Sequence, residues 1–268
     1  MFHTIKTGSL EYLTADSLSG SVHCFSTRFG GVSEGHLASL NLGTHRGDVP
    51  ENVYENYRIL GAAVGFAPEQ TVFTKQEHTD IIRRVGRADC GTGLLREQTV
   101  VCDGLITIDP GVALCCFGAD CTTILLFDPV TGALGAVHSG WRGTVGKIGK
   151  VTVETMTREF GSDPKDILAA VGPSICQDCY EVSEEVIGLF RENFVEELWP
   201  KLFYGKENGH YQLNLWEANR LIFEEAGILP EHITVTDVCT ACNPELLFSH
   251  RASGGKRGNL AGFLGLRA

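Results

Sequence analysis

Cys121 and His138 bracket the segment of this chain best suited to chemistry. The stretch from one to the other, CTTILLFDPVTGALGAVH, reads as a β-hairpin: an apolar run Ile124 to Phe127, turn residues Asp128 to Gly132, and an apolar run Ala133 to Val137. In an antiparallel pair the start of the first strand lies beside the end of the second. Centring the turn on Pro129 and Val130 sets Cys121 opposite His138 to within a residue, so a thiolate and an imidazole meet at one end of a buried ribbon. Two chemistries use such a pair. One is a Zn²⁺ site, which in its catalytic form takes three protein donors and keeps a fourth position open. The other is a cysteine hydrolase with Cys121 as nucleophile, His138 as base, and Asp120 or another carboxylate orienting the ring.

A zinc site needs a third donor, and His78 suits it, following a strand in the polar loop Gln76-Glu77-His78-Thr79-Asp80. His45 and His250 are the reserves. Asp120 precedes Cys121 and in extended chain points to the opposite face, as a supporting or acid–base carboxylate or as a solvated strand end. His138 leads into Ser139-Gly140-Trp141-Arg142-Gly143-Thr144, which opens a helix. Free N–H groups there favour an anion, and Arg142 adds a charge-assisted donor. The plainer alternative makes Arg142 a surface residue and Trp141 a core anchor. Cys176-x-x-Cys179 and Cys239-x-x-Cys242 carry thiols suited to a four-thiolate zinc site, although 59 residues separate the two pairs; simple burial is the alternative.

Around these residues the chain alternates strands and helices. Strands are expected at Val22 to Thr27, Thr71 to Phe73, Ile81 to Val85, Leu168 to Val171 and Val235 to Val238. Cys102 to Ile108 and Val112 to Phe117 read as a pair joined across Asp109-Pro110-Gly111. Helices are expected at Pro50 to Val64, Thr144 to Phe160, Ser183 to Glu197 with Ser183 as N-cap, and Leu213 to Ala226. Arg28 to His45 and Cys90 to Glu97 read as loops, and Phe248 to Ala268 as a Gly- and Arg-bearing tail. Hairpins outnumber βαβ units. The fold class is therefore α/β in the broad, α+β sense: mixed or antiparallel sheets packed on helices in a single domain spanning residues 1–268.

Bulk composition narrows the function. The chain has 268 residues, 43% apolar and 21% charged, and no apolar stretch long enough for a membrane span. Its start lacks the basic-then-apolar pattern of a signal peptide, so a cytoplasmic location is expected. A net charge of −11 argues against nucleic acid and anionic membranes as partners. Ten cysteines in a reducing compartment point to thiols and metal ligands over a disulfide framework. Cys115 and Cys116, inside an apolar run, are expected in the core. Oligomeric state is left open.

Leu40-Asn41-Leu42-Gly43, Ala119-Asp120-Cys121, Ala136-Val137-His138-Ser139-Gly140-Trp141-Arg142-Gly143-Thr144, Val171-Gly172-Pro173-Ser174-Ile175 and Cys179-Tyr180-Glu181-Val182 together resemble the laccase-domain family, also called the polyphenol oxidase or purine nucleoside phosphorylase family. The resemblance runs from about Phe25 to Arg257. It implies one α/β domain with a metal on His78, Cys121 and His138. It further implies zinc-dependent phosphorolysis of adenosine, inosine, guanosine and methylthioadenosine to the base and (methylthio)ribose-1-phosphate, and deamination of adenosine to inosine. On motif position, Arg46 and Arg142 would hold phosphate, Asn41 and Gln76 would contact sugar or base, and Asp120 would move the proton. Thr79 stands where the family usually has Gly, and Thr122-Thr123 where it usually has Pro; the tail matches loosely. A multicopper oxidase is disfavoured: nine histidines include no His-x-His, and Met1 and Met156 give no axial-ligand pattern. Cu²⁺ stays as the alternative ion, since a Cys/His site prefers it on affinity.

Overall fold

The computed structural model describes residues 1–267; Ala268, the last residue of the expected domain and tail, lies outside them. In chain order the strands are β1 (Phe2–Thr7), β2 (Leu10–Ala15), β3 (Ser21–Ser26), β4 (Thr71–Phe73), β5 (Ile82–Arg84), β6 (Gly104–Thr107), β7 (Ala113–Gly118), β8 (Thr122–Phe127), β9 (Leu134–Ser139), β10 (Leu168–Val171), β11 (Glu181–Val182), β12 (Phe203–Gly205), β13 (Tyr211–Leu213), β14 (Ile233–Val235) and β15 (Leu260–Leu266). The helices are α1 (Pro50–Val64), α2 (Trp141–Val145), α3 (Ile148–Phe160), α4 (Glu184–Asn193), α5 (Trp199–Leu202), α6 (Leu215–Glu225) and α7 (His250–Ser253).

Two six-stranded mixed sheets face each other, one ordered β1-β2-β3-β15-β7-β4 and the other β14-β10-β8-β9-β6-β5. Between them lie Leu13, Phe25, Leu114, Cys116, Leu125, Phe127, Leu134, Ala136 and Leu264. Helix α1 covers the outer face of the first sheet through Val53, Tyr57 and Leu60, against Cys115 and Phe263. Helices α3 and α6 cover the second through Ile148, Val153, Met156 and Phe223, against Ile124, Leu126 and Val137. Both faces of β8 are thus buried, Leu125 and Phe127 between the sheets and Ile124 and Leu126 under helices. Strands covered on both sides read as unbroken apolar runs, which is why ILLF carries no alternation. The three-stranded sheet β11-β13-β12 packs with α4, α5 and α6 around a separate apolar cluster.

The α/β class with mixed sheets on helices is observed, and Cys115 and Cys116 are fully buried. Several details differ from expectation. The strand expected at Val235 to Val238 lies at Ile233–Val235, and the helix expected to run to Glu197 ends at Asn193. The segments around β6 and β7 do not pair: β6 joins β9 and β5, while β7 joins β15 and β4, so Asp109-Pro110-Gly111 carries the chain across the inter-sheet layer. A strand followed by a turn and a second strand does not by itself say whether the second returns in the same sheet. The helix expected from Thr144 begins at Trp141 and breaks at Gly146-Lys147, where Lys147 takes a left-handed φ of 53°. Ser183 sits at the N-cap of α4 but makes no side-chain cap bond. The last strand is β15, central in its sheet, inside what reads as a glycine-rich tail. Gly262 and Gly265 resemble turn signals there, but between β3 and β7 they are strand residues.

Candidate metal centre

The β8–β9 hairpin forms with its register two residues away from the expected one. Thr123 pairs with His138, and Thr122 with Ser139. The cause is Asp128. Its carboxylate accepts from Val130 N at 2.8 Å and from the Thr131 hydroxyl at 2.6 Å, and its backbone N–H donates to Ala133 O at 2.9 Å, so the loop closes wider than a two-residue turn. A two-residue shift preserves strand parity, so every side chain keeps its face. Cys121 becomes the diagonal neighbour of His138, within reach across a strand pair. On β9, His138 shares a face with Ala136, which packs between the sheets. The pair therefore sits at the open end of the inter-sheet layer.

His78 completes the group. The Nε2 of His78 lies 3.9 Å from Cys121 Sγ, its ring meets that of His138 edge-on at 4.9 Å, and the three ligand atoms all lie within 4.8 Å of one another. One thiolate and two imidazoles fit a catalytic divalent-ion site with one position left open; zinc and copper both accept this donor set. Without an ion, burial pushes the Cys121 thiol up, but hydrogen bonds and charge from His138 and His78 outweigh that and hold it at about 6. Burial pushes His138 down, and its bonds to Asp103 and Cys121 hold it up at about 9.

Asp103, which precedes β6, is a residue of the centre that sequence reading missed, as are Arg257 and Asn259 in the cleft beside it. It is fully buried, and its carboxylate accepts from His138 Nδ1 at 2.7 Å, Glu77 N and His78 N at 3.1 Å each, and Thr79 N and Oγ1 at 2.8 Å each. One side chain thus orients one imidazole and anchors the loop carrying the other, with His78 held at a left-handed φ of 61°. The bond to Nδ1 leaves His138 Nε2 free to ligate. Thr79, at the family's usual Gly position, supplies two of these donors. Only a carboxylate between two apolar stretches marked Asp103 in the sequence.

Gly140 closes the centre from the other side. A Cβ there would stand 2.9 Å from His78 Cδ2 and 3.1 Å from Cys121 Sγ. Its φ of −76° and ψ of 178° suit any residue, so the constraint is steric. Gly140→Ala should therefore fold normally yet bind its metal about 10–100-fold more weakly, the range for disturbed support around a metal. Zinc competition with a chromophoric chelator measures this; wild-type affinity would remove the steric claim.

The centre opens into a cleft of about 1160 Å³ lined by His45, Arg46, Gln76, Phe117, Arg257 and Asn259, among others. Gln76 lines it while its amide bonds the Phe117 backbone through both ends, at 2.9 Å and 2.7 Å. Arg46 Nε donates to Asn259 Oδ1 at 3.1 Å, and Arg257 donates to the same oxygen. The Arg257 Nε is buried without a partner, and burial together with the Arg46 charge pulls this guanidinium down to about 10. Three of the expected residues lie outside the lining. Asn41 is buried and committed to Gly43, Asp48 and Asn259. Arg142 is exposed and stacks on Trp141 at 4.3 Å. Both Asp120 oxygens are taken, by the Thr240 hydroxyl at 2.7 Å and Arg251 N at 2.6 Å. The reserve His250 opens α7 and is not one of the three clustered ligand residues.

A family model described as multi-copper polyphenol oxidoreductase laccase matches residues 22–267. The chain is 39% identical to the purine nucleoside phosphorylase YlmD of Geobacillus stearothermophilus, over 94% of this chain and 93% of that one. It is 35% identical to a purine nucleoside phosphorylase of Bacteroides thetaiotaomicron, over 94% and 93% of the two chains. The crystal structure of YlmD from Geobacillus stearothermophilus superimposes with a TM-score of 0.93 at 36% identity, covering 99% of both.

Proposed function

Because the chain belongs to the multi-copper polyphenol oxidoreductase laccase family, and relatives within it carry names for phosphorolysis, we propose that it is a zinc-dependent purine nucleoside phosphorylase. The observation that carries this reading is one cleft lined both by the Cys/His₂ centre and by Arg46 and Arg257, which share the Asn259 oxygen. Phosphate would bind Arg46 and Arg257. Two guanidiniums around one amide oxygen, one with an unpartnered Nε, repel each other until an anion lies between them. Gln76 and Asn259 would face the nucleoside. His78, Cys121 and His138 would hold zinc, which would supply Lewis acidity when bound. Asp120 and Asn41 act as positioning residues, and Arg142, outside the cleft lining, takes no part in holding phosphate.

The proposed substrates are adenosine, inosine, guanosine and methylthioadenosine, with deamination of adenosine as a second activity of the same centre. A cytoplasmic location is part of the proposal, since Cys121 ligates only while reduced; no helix among the described residues is long and apolar enough to cross a membrane. Mass-spectrometric screening of purine nucleosides with and without phosphate tests it. Ribose-1-phosphate that forms only with phosphate, is lost to a chelator and returns with Zn²⁺ is expected; absence of product from every nucleoside overturns it. Arg257→Ala should raise the KM for phosphate about 10–100-fold, as expected for one or two charged hydrogen bonds, while the KM for nucleoside changes less. An unchanged phosphate KM would move the anion site elsewhere.

A second reading has an observation behind it: Cys121, His138 and Asp103 also line up as nucleophile, base and orienter. Activity that ignores chelators and dies with iodoacetamide would favour a cysteine hydrolase. Copper with oxygen uptake on a phenolic substrate would favour the oxidase chemistry in the family's description.

A further inference from the structure

We infer that Cys176, Cys179, Cys239 and Cys242 form a second metal site, a structural zinc centre of four thiolates that fastens two loops together. The topology explains how two Cys-x-x-Cys pairs so far apart in sequence meet. Strands β10 and β14 are parallel neighbours, with Val171 beside Val235, so both chains leave the sheet at the same end. Cys176 follows five residues after one and Cys239 four after the other. The exit loops stay joined by the Ser174–Cys239 bridge and by Thr240 N donating to Ser174 O at 3.1 Å.

All four sulfurs lie within 4.8 Å of one another. Cys242 Sγ is 3.9 Å from Cys176 Sγ and 3.4 Å from Cys179 Sγ. Zinc–sulfur bonds of about 2.3 Å at tetrahedral angles place sulfurs roughly 3.8 Å apart, so the spacing already matches. Cys239 Sγ accepts two backbone N–H groups, from Cys176 at 3.2 Å and Cys242 at 3.4 Å. Donors aimed at a sulfur suit a ligating thiolate far better than a neutral thiol. A disulfide within this group would use two sulfurs and strand the others, whereas one ion uses all four. All four are free thiols, and a closed set of four donors marks a structural site.

The clamp reaches the first centre through two contacts. Thr240, next to Cys239, holds the carboxylate of Asp120, the neighbour of Cys121. Arg251 donates to Cys179 O at 3.0 Å and Glu181 O at 3.1 Å. An ion here would fix the loops that position the Cys121 segment without touching substrate.

Metal content of the full chain, purified under reductant and measured by plasma mass spectrometry, tests this independently of any nucleoside activity. About two zinc ions per chain are expected in the wild type, and about one in Cys176→Ser, Cys242→Ser or His78→Ala. Should the serine variants fail to fold, cobalt-loaded Cys121→Ala provides the second readout. Intense thiolate-to-cobalt charge transfer with tetrahedral bands should persist there, because the remaining first-centre donors carry no sulfur. One zinc in the wild type, zinc unchanged in folded serine variants, loss of the cobalt–thiolate bands in Cys121→Ala, or a mapped Cys179–Cys242 disulfide would overturn the assignment.

Discussion

Cys121→Ala should lower phosphorolysis by on the order of 10³-fold or more, with the fold intact. The side chain is only partly buried, so its loss leaves no sealed cavity. What disappears is the sole sulfur donor of the first centre, leaving His138 and the exposed His78 to hold an ion alone. Lewis-acid stabilisation is worth several kcal/mol of transition-state energy, and each 1.36 kcal/mol is about tenfold in rate. Alanine alone does not separate metal ligand from nucleophile, since either role fails. Cys121→Asp does: a carboxylate can ligate zinc but cannot replace a thiolate attacking a substrate. Partial, zinc-dependent activity in the Asp variant with loss in the Ala variant supports the metal role. Activity in Cys121→Ala within tenfold of wild type would remove residue 121 from the chemistry.

The sequence made this centre legible because its parts lie on local structure. A hairpin brings its ends together whatever the rest of the fold does, and the two-residue register shift set by Asp128 kept Cys121 and His138 on one face. Helix α1 was equally readable, with Pro50 in its first turn and the left-handed Gly65 ending it. Long-range arrangement was not. The two strands flanking Asp109-Pro110-Gly111 enter different sheets, and the apolar pattern of a strand buried on both faces is the same in either. Strand β15 hid behind Gly262 and Gly265. Asp103 was invisible because its role depends on three elements meeting: β6, the loop with His78, and the end of β9. Arg257 and Arg46 stand 211 positions apart in sequence and share only the Asn259 oxygen. The four cysteines announced their chemistry through spacing, but their meeting rests on the parallel β10–β14 pairing.

Replacing Asp103 should damage folding and metal binding together, and the two losses can be separated. In Asp103→Ala, five donors lose their acceptor: Glu77 N, His78 N, Thr79 N, the Thr79 hydroxyl and His138 Nδ1. Unsatisfied buried groups and a broken buried pair cost about 3–5 kcal/mol in total, or roughly 10 °C in melting temperature. Asp103→Asn keeps the volume but turns one oxygen into a donor. Facing His138, that NH₂ forces Nδ1 to accept, which puts the ring proton on Nε2, the atom needed for the ion. Facing Thr79 instead, it opposes three donors. Either way metal affinity should fall about 10–100-fold. Acid titration isolates the charge. Burial pushes the Asp103 carboxyl up, but His138 and the Thr79 donors outweigh that and hold it at about 2, below its ordinary 3.8. A carboxyl depressed on folding stabilises the protein above its unfolded pKa and loses that contribution as pH falls through the folded one. It is worth on the order of 2 kcal/mol here. Because Asp103 also helps hold His138 up at about 9, the pair contributes fully below the ordinary histidine value of 6.5 and fades as pH rises through about 9. The stability gap between metal-free wild type and Asp103→Asn should therefore be widest between about pH 5 and 6, narrow toward about pH 9, and close between about pH 4 and 2. A gap that stays constant down to pH 2 would mean that the variant loses packing or hydrogen bonds alone, and that the charge of Asp103 does not organise the two histidines.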